Sequence, residues 1–466
     1  MNVSIWWIRR DLRFHDNPAL RAALGSGLLL PVFILDPRLL AKEAPVRQGF
    51  LFEGLRRLDS DLRARGSRLI VRRGHPLDVL AQLVQESRAN SIHAAEDTSP
   101  YARQRDEGVA RFLPLTLHGG QTVHHPLSVR KPDGSPYTIF TPFSRAWRAL
   151  PAPMPVASPL PVFLPVPALS GEDLPDMPVP PNFPPGEAEA LRRLDSFLSG
   201  PASAYAQGRD RLDLSGTSAL SPYLRFGMLS PRLAWVRTAA HIRSTLDPQA
   251  RHGFETWLNE LIWREFYQGI LYAFPTVLRS EFNPALRRIP WRDSPTDLQA
   301  WREGRTGFPV VDAGMRQLAA TGWMHNRARM ITASFLVKDL LIDWRLGAAW
   351  FMRLLVDGDP ASNNGGWQWT AGTGTDAAPY FRIFNPVLQG QKFDPAGDYV
   401  RRWVPELASI PGAYLHAPWT MPDDLQQRSG LRIGQNYPAP IVDRATARER
   451  ALVAYKASKG AYSAGS

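Results

Sequence analysis

Short apolar runs alternate with amphipathic stretches over the first 130 residues, and this alternation restricts the fold more than any other feature of the chain. The runs VSIWWI, LLPVFIL, SRLIVRR and SIHAAE have the length and composition of buried strands. The stretches between them, such as FLFEGLRRLDSDLRAR, repeat their apolar residues with helical period. Buried strands separated by helices predict a doubly wound parallel sheet, an α/β domain over residues 1–130.

The pattern changes after this domain. Between Pro151 and Pro185 lie 13 of the chain's 43 prolines, too many for regular helix or sheet, so an extended interdomain linker is predicted over 131–185. Long helical periods dominate from 186 to 466, which predicts a large all-helical second domain. No G-x-G-x-x-G motif follows the first strand, where WIRRDLRFHDN stands instead, so we expect no dinucleotide on the α/β domain.

Composition narrows the classes of protein. The 466 residues are too many for one core of ordinary size, and the net charge of +12 with a pI near 10.1 favours a polyanionic partner such as nucleic acid. The absence of cysteine excludes disulfides, thiolate zinc sites, iron-sulfur clusters and a cysteine nucleophile, and adjacent His124 and His125 lack the spacing of a zinc motif. No signal peptide or apolar run of membrane-spanning length is visible, so we expect a soluble, cytoplasmic protein without a metal.

Two motifs allow both a structural and a functional interpretation. In GTSALS, the hydroxyls of Thr217, Ser218 and Ser221 cluster where a helix should begin, which is typical of a phosphate site but also of an ordinary helix cap. In ELIWREFY, Glu260, Trp263 and Tyr267 share one helix face. That face is either an ordinary boundary of the core or one wall of a pocket for a flat, hydrogen-bonding ligand.

The segment 321–393 places five tryptophans among Asn, Arg and Asp residues, which suggests a bound aromatic, charged cofactor. This segment closely resembles the flavin-binding core of the DNA photolyase and cryptochrome family, and within it class I cyclobutane pyrimidine dimer photolyases. WWIRRDLRFHDNPAL, VFILDP, SPYARQRD, YTIFTPF and YPAPIVD resemble further signatures of the family. The resemblance therefore covers nearly the whole chain.

The resemblance implies FAD as cofactor. It places the diphosphate at GTSALS, Asp357 and Asp359 at the isoalloxazine and ribityl parts, and Asn363 at flavin N5. Plant cryptochromes carry an aspartate at that last position and animal ones a cysteine, whereas a neutral amide suits a long-lived reduced anion. The cofactor positions implied in full are Tyr205, Thr217, Ser218, Ala219, Leu220, Ser221, Arg329, Asp357, Gly358, Asp359 and Asn363.

The resemblance also implies a lesion pocket, in which Trp263 stacks on the dimer and Glu260 hydrogen-bonds its polar edge. Relatives that repair the (6-4) lesion carry histidines where this chain has Asn326 and Met330, which favours cyclobutane repair. The catalytic positions are Glu260, Trp263, Asn326, Met330 and Trp369, with Trp367, Trp344 and Trp291 as an electron-hopping chain from flavin to surface. The DNA contacts are Arg209, Glu260, Trp263, Tyr267, Asn326, Arg327, Arg382, Gln389 and Lys392.

A second, light-harvesting chromophore is implied for the α/β domain. Tyr101 and Ala102 stand where folate-binding relatives carry an Asn-Glu pair, so 8-hydroxy-deazaflavin is favoured over folate, with FMN or an empty site as the alternatives. The matching positions are Arg10, Asp36, Asp97 and Arg225.

The sequence therefore predicts light-driven repair of cyclobutane pyrimidine dimers in UV-damaged DNA by excited reduced FAD. We expect a monomer without an obligate protein partner and without membrane attachment. Two alternatives remain open: a cryptochrome-type blue-light receptor without repair activity, and a plain basic nucleic-acid-binding module. Asn363 and the pair of Glu260 and Trp263 argue against the cryptochrome.

Overall fold

The computed structural model describes residues 2–25, 27–151, 153–156 and 169–463. The chain divides into two compact units, each assembled from separate stretches of sequence. Unit 1 comprises residues 1–206, 217–275 and 356–361, and unit 2 comprises residues 207–216, 276–355 and 362–466. The functional domain boundaries drawn from the sequence stay a prediction, since these units are defined by packing alone.

A sheet of five parallel strands forms the centre of the first part of unit 1. The strands are β1 Val3–Ile8, β2 Leu28–Leu35, β3 Ile70–Arg73, β4 Ser91–Ala95 and β5 Leu115–His118. Their order in the sheet is β3-β2-β1-β4-β5. The central strand is buried at every position, and its Trp7 pairs with Val32 on one side and Ala94 on the other. The predicted α/β fold is confirmed.

Five helices pack around the sheet, and each begins with a proline in its first turn. A proline there leaves no N–H unsatisfied and fixes the helical φ angle, so it marks the turn from strand to helix. These helices are α1 Pro18–Leu24, α2 Pro37–Leu40, α3 Pro45–Arg63, α4 Pro76–Ser87 and α5 Pro100–Ala110.

Helices dominate the described chain after residue 186, as the sequence predicted, and one further helix precedes that region. They are α6 Phe140–Ala149, α7 Glu187–Leu198, α8 Tyr205–Gly208, α9 Ser221–Phe226, α10 Pro231–Ser244, α11 Pro248–Ala273, α12 Pro295–Glu303, α13 Pro309–Thr321, α14 Asn326–Ser334, α15 Trp344–Leu354, α16 Pro360–Ala371, α17 Pro386–Phe393, α18 Asp398–Trp403, α19 Asp423–Ser429 and α20 Arg444–Ser463. Short 3-10 helices occupy Pro201–Ala204, Pro275–Leu278, Pro284–Leu286, Pro405–Leu407, Gly412–Tyr414 and Pro418–Thr420, and Phe335–Asp339 is a π-helical turn. Within the described ranges, no helix is both long and apolar enough to cross a bilayer.

The predicted linker needs one correction. Residues 131–185 contain helix α6, which packs Phe143 and Trp147 into a core cluster with Ile262 and Phe266 of α11. Residues 151, 153–156 and 169–185 form neither helix nor strand, and the assignment of this stretch as an interdomain linker stays a prediction. Residues 152 and 157–168 lie outside the described residues.

Candidate active site

Helix α11 carries the first wall of the candidate site, in unit 1. Glu260, Trp263 and Tyr267 are partly exposed along one side of the helix, as the sequence predicted. Phe140 of α6 stacks on the Trp263 indole with ring centroids 3.7 Å apart and an interplanar angle of 3°. Because Phe140 covers one face of the indole, only the opposite face is left to stack on a ligand. Phe140 lies more than 120 positions before Trp263, within the YTIFTPF signature and the predicted linker, and sequence reasoning assigned it no role at the site.

A buried carboxylate fixes the position of this wall. Glu265, on the core side of α11, accepts hydrogen bonds from the Val123 and His124 amides and from Trp147 Nε1 at 2.7 Å. Burial raises the pKa of the Glu265 carboxyl, while these three donors favour its ionised form. The donors tie α11 to residues 123–147 and so hold Trp263 against Phe140.

An ion cluster surrounds Asp359 in the same unit. Arg10 donates to Asp359 Oδ2 at 2.9 Å and to Asp97 Oδ2 at 3.3 Å, and Arg225 donates to the Gly358 carbonyl at 2.8 Å. Burial would raise the pKa of the Asp97 carboxyl, but the Arg10 guanidinium holds it well below its usual range. Burial, together with the charge of Arg10, lowers the pKa of Arg225 to about 9. Asp359 Oδ1 accepts the Ala361 amide in the first turn of α16 at 3.0 Å.

Three of the four predicted antenna positions, Arg10, Asp97 and Arg225, belong to this ion cluster. The fourth, Asp36, bonds to residues outside the cluster. Its carboxylate caps α2 by accepting the Arg38 amide at 2.9 Å, and it also accepts the Tyr101 hydroxyl. Burial and this bond raise the pKa of the Tyr101 phenol to about 12. The structure therefore groups Arg10, Asp97 and Arg225 around Asp359, a residue that the resemblance had assigned to FAD.

The predicted helix start at GTSALS is confirmed, since α9 begins at Ser221. Just before it, Ala219 adopts a left-handed conformation with φ of 49°. A residue with a Cβ pays for this backbone shape and keeps it only where the surrounding structure requires it. Tyr205, which precedes this segment in the sequence, is buried. Its ring packs edge-on against Phe197, with the ring centroids 5.7 Å apart.

Helix α14 carries the second group of predicted residues, in unit 2. Asn326 and Met330 lie one turn apart on its surface, where the Asn326 amide lies 3.9 Å from Met330 Sδ. The helix is capped by His325, whose Nδ1 accepts the Arg327 amide at 3.1 Å. Burial lowers the pKa of His325 to about 4, so this cap is a neutral imidazole near pH 7. Arg329 donates to the Met324 carbonyl at 2.8 Å.

Several predicted DNA contacts form one basic group in unit 2. Arg327 donates to both carboxylate oxygens of Asp210, at 3.2 and 2.7 Å, and its guanidinium lies 4.5 Å from the centre of the Phe393 ring. Lys392 covers the same ring at 5.3 Å, and Arg209 lies 3.9 Å from Asp210. Arg382 and Lys392 are exposed and Gln389 is half-buried. Asp210, which the sequence did not single out, therefore holds Arg327 in position.

Helix α16 carries Asn363, whose orientation is set by the backbone of α15. Asn363 Nδ2 donates to the Ala348 carbonyl at 3.1 Å, so the amide oxygen points away from that carbonyl as an acceptor. Sequence reasoning missed the two side chains that hold this helix: Asn364 and Gln368 both donate to the Val277 carbonyl, at 2.8 and 2.9 Å. Paired amide motifs of this kind carry no recognisable signal in a single sequence.

The three tryptophans of the proposed chain all lie in unit 2. Trp367 and Trp344 belong to one core cluster, and Trp291 packs against that cluster. Gly347 lies one turn after Trp344 on α15, and a Cβ there would lie 2.1 Å from Trp367 Cη2. Glycine is therefore required at position 347 to let the Trp367 ring approach α15. Trp369 is half-buried on the same helix as Trp367.

The remaining cofactor positions are divided between the units. Asp357 is buried and belongs to unit 1 together with Gly358, Tyr205 and the segment 217–221, whereas Arg329 and Asn363 belong to unit 2. Among the described residues, no group of three or more His, Cys, Asp or Glu side chains could hold a metal ion.

Comparison with known proteins identifies the family. Residues 4–162 match the family model described as DNA photolyase, and residues 257–457 match that of the FAD binding domain of DNA photolyase. The deoxyribodipyrimidine photo-lyase of Agrobacterium fabrum is 40% identical over 98% of both chains, and that of Escherichia coli is 40% identical over 98% of this chain and 99% of its own. The chain therefore belongs to the DNA photolyase family. It is an enzyme of DNA repair, a photo-lyase that binds FAD.

Solved structures agree with this assignment. A bacterial class III photolyase from Agrobacterium tumefaciens has a TM-score of 0.93 and 39% identity, covering 99% of this chain and 98% of its own. A cryptochrome from Synechocystis has a TM-score of 0.89 and 30% identity, covering 97% of this chain and 99% of its own. Class I membership stays a prediction.

Proposed function

We propose that this photolyase repairs cyclobutane pyrimidine dimers by light-driven electron transfer from reduced FAD. The observation that carries the proposal is the orientation of Asn363. Its NH2 group is engaged by the Ala348 carbonyl, so the amide presents its oxygen, an acceptor that fits the N–H at N5 of a reduced flavin. When bound and excited by light, reduced FAD supplies the electron that splits the cyclobutane ring and takes it back afterwards.

The protein's own task in this scheme is positioning. Asn363 is a neutral amide that cannot deliver a proton as an acid would, so it leaves the reduced cofactor as an anion. In unit 1, Asp357 and the segment 217–221 are proposed as FAD contacts, with hydroxyls and backbone amides of that segment toward the diphosphate. In unit 2, Arg329 is proposed as a further FAD contact. Since the cofactor carries the chemistry, the chain contributes binding, orientation and electrostatics.

The wall on α11 fits the chemistry of a thymine dimer. The dimer is a compact saturated ring with imide edges, so its pocket needs a flat surface for the ring and an acceptor for the imide N–H. Trp263 offers one indole face, backed by Phe140 at 3.7 Å, and Glu260 lies one turn away with a carboxylate. Reaching the pocket requires the dimer to flip out of the duplex, which costs on the order of a few kcal/mol in lost stacking and pairing.

Duplex DNA would be bound through phosphates by the basic group in unit 2. Arg327 is held in place by Asp210, and Lys392 lies over the same Phe393 ring as Arg327. Arg382 is exposed in the same unit. Such contacts position the backbone without reading sequence, which suits a repair enzyme that must act at any dimer.

A cryptochrome-type receptor without repair activity is the second candidate, favoured by the likeness to the Synechocystis protein.

The grouping of Arg10, Asp97 and Arg225 supports binding of an antenna chromophore in unit 1. We propose 8-hydroxy-deazaflavin as this chromophore, with FMN as the alternative. Extraction of the purified protein and a spectrum of the released chromophores would identify it.

The experiment that tests the proposal replaces Glu260 with Ala in the FAD-loaded, reduced protein. The variant loses a charge-assisted hydrogen bond to the imide, which should cost about 1.5 to 3 kcal/mol. We therefore expect binding of the damaged DNA, and repair of cyclobutane dimers per photon, to fall about tenfold or more. Glu255→Ala is the matched control, because Glu255 is an exposed carboxylate on the same helix. Wild-type repair by the Glu260 variant would contradict the proposed pocket, and absence of repair by the wild type would favour the cryptochrome.

A further inference from the structure

Glu281 lies at the indole of the middle tryptophan of the proposed chain. Trp344 Nε1 donates to Glu281 Oε1 at 3.1 Å, and the carboxylate is only 2% exposed. Arg345 donates to both oxygens of the same carboxylate, at 2.8 and 3.0 Å. A hydrogen bond from an indole to a buried carboxylate is charge-assisted, so it is stronger than a neutral bond.

Two carboxylates, Glu281 and Asp343, pair with one guanidinium next to Trp344, and Arg287 donates to the backbone carbonyl of Glu281 at 3.1 Å. The Arg345 guanidinium lies 5.5 Å from the centre of the Trp344 ring, and it also pairs with Asp343 at 2.7 Å. One guanidinium therefore stands between two carboxylates. Glu281 is the one of the two that contacts the indole N–H, and in a buried site of low dielectric its charge is weakly screened.

The surroundings of Trp367 are different. Its Nε1 is buried and has no hydrogen-bond partner among the described residues. Its ring packs edge-on against Phe351 at 5.0 Å and Trp301 at 6.1 Å, and its edge contacts Gly347. Among the residues that the structure describes, no carboxylate contacts the Trp367 indole. A positive charge is therefore less well stabilised on Trp367 than on Trp344.

We propose that Glu281 is a positioning residue for electron transfer, which makes Trp344 easier to oxidise than Trp367 and so drives the charge outward along the chain. This inference rests on the proposed function, in which Trp367, Trp344 and Trp291 carry electrons to the cofactor. One electron passes from Trp344 to the oxidised Trp367 indole, and the proton stays on Trp344 Nε1, hydrogen-bonded to Glu281. The first acceptor is photoexcited oxidised flavin, and an added thiol is the final electron donor.

The test replaces Glu281 with Gln in the FAD-loaded protein, which keeps the shape and an acceptor oxygen but removes the charge. The yield of flavin photoreduction per flash should fall about tenfold, the factor that corresponds to about 1.4 kcal/mol. Repair by chemically reduced protein should not change, because that reaction does not use the chain. Glu406→Gln is the matched control, since the partly buried Glu406 is, like Glu281, a carboxylate paired with an arginine, here Arg316 at 2.7 Å.

A second readout does not depend on the cofactor. Ultraviolet resonance Raman spectra of FAD-free protein report the hydrogen bond of the Trp344 indole N–H, with the band assigned by Trp344→Phe. The bond should weaken in Glu281→Gln and stay as in wild type in Glu406→Gln. An unchanged band, or an unchanged flash yield, would overturn the inference.

The variants also separate this inference from the proposed function. If Trp344→Phe photoreduces like wild type, the proposed tryptophan chain is wrong and the role of Glu281 is lost with it. If Trp344→Phe is inactive in photoreduction while Glu281→Gln is normal, only the role of Glu281 is wrong. Should Glu281→Gln not fold, Glu281→Asp keeps the charge but shortens the reach to Nε1, and its yield should still fall; a wild-type yield would overturn the inference.

Discussion

Protonation of His325 should destabilise the protein between pH 6.5 and pH 4. Burial holds the pKa of this imidazole at about 4 in the folded chain, below its ordinary value of 6.5. The unfolded chain therefore binds a proton more readily, and stability that is fully present above pH 6.5 is lost as the pH falls to about 4. The fall from 6.5 to about 4 corresponds to roughly 3 kcal/mol.

The structure gives the physical reason for this loss. A protonated His325 can no longer accept the Arg327 amide at the start of α14, and it adds a cation close to Arg327 and Arg329. His325→Asn provides the comparison, because asparagine caps helices well and does not titrate. Urea unfolding of both proteins from pH 7.5 to pH 4 measures the difference. The wild type should lose roughly 3 kcal/mol more than the variant over this range, and parallel pH profiles would refute the reasoning.

Three further substitutions have defined outcomes. Trp367→Phe should abolish photoreduction of oxidised FAD while chemically reduced enzyme still repairs dimers; unchanged photoreduction in a flash experiment would remove Trp367 from the chain. Arg327→Ala should weaken binding to damaged and undamaged DNA alike and reduce the slope of log affinity against log salt by roughly one; a loss confined to damaged DNA would mean that Arg327 reads the lesion. Gly347→Ala should cost about 1 to 3 kcal/mol in thermal unfolding, because the new Cβ would lie 2.1 Å from Trp367. Its control is Gly108→Ala in α5, where the added Cβ would meet no heavy atom within 4 Å apart from its chain neighbours and the nearby backbone of its own helix. This control should be neutral or stabilising, and equal effects of the two substitutions would contradict the packing at Trp367.

Much of the fold could be predicted because the spacing of apolar residues along the sequence indicates which residues of a strand or helix are buried. Strand β1 is apolar at nearly every position and lies at the centre of the sheet, so its run of residues was recognisable. Strand β5, over Leu115–His118, was missed because it is a short edge strand with exposed Thr116 and Leu117. Helix α6 was missed because the prolines beside it suggested a linker.

The candidate site was less accessible to sequence reasoning, because its contacts join distant positions. Arg10 and Asp359 are 349 residues apart, and nothing in either local motif indicates that they pair. Phe140 behind Trp263 and Glu281 at Trp344 are likewise invisible before the chain is folded. The family motifs identified the candidate residues. The structure shows which residues they contact, and these contacts define the roles that can be tested.

The most direct test of the account is illumination of the reduced, FAD-loaded protein with two oligonucleotides, one carrying a cyclobutane thymine dimer and the other a (6-4) product. Repair of the (6-4) product needs a donated proton, and Asn326 has an amide where relatives that repair it carry a histidine. Chromatography of the products should therefore show light-dependent repair of the cyclobutane dimer and none of the (6-4) product. Repair of the (6-4) oligonucleotide, or no repair of the cyclobutane dimer by protein with full FAD, would contradict the account.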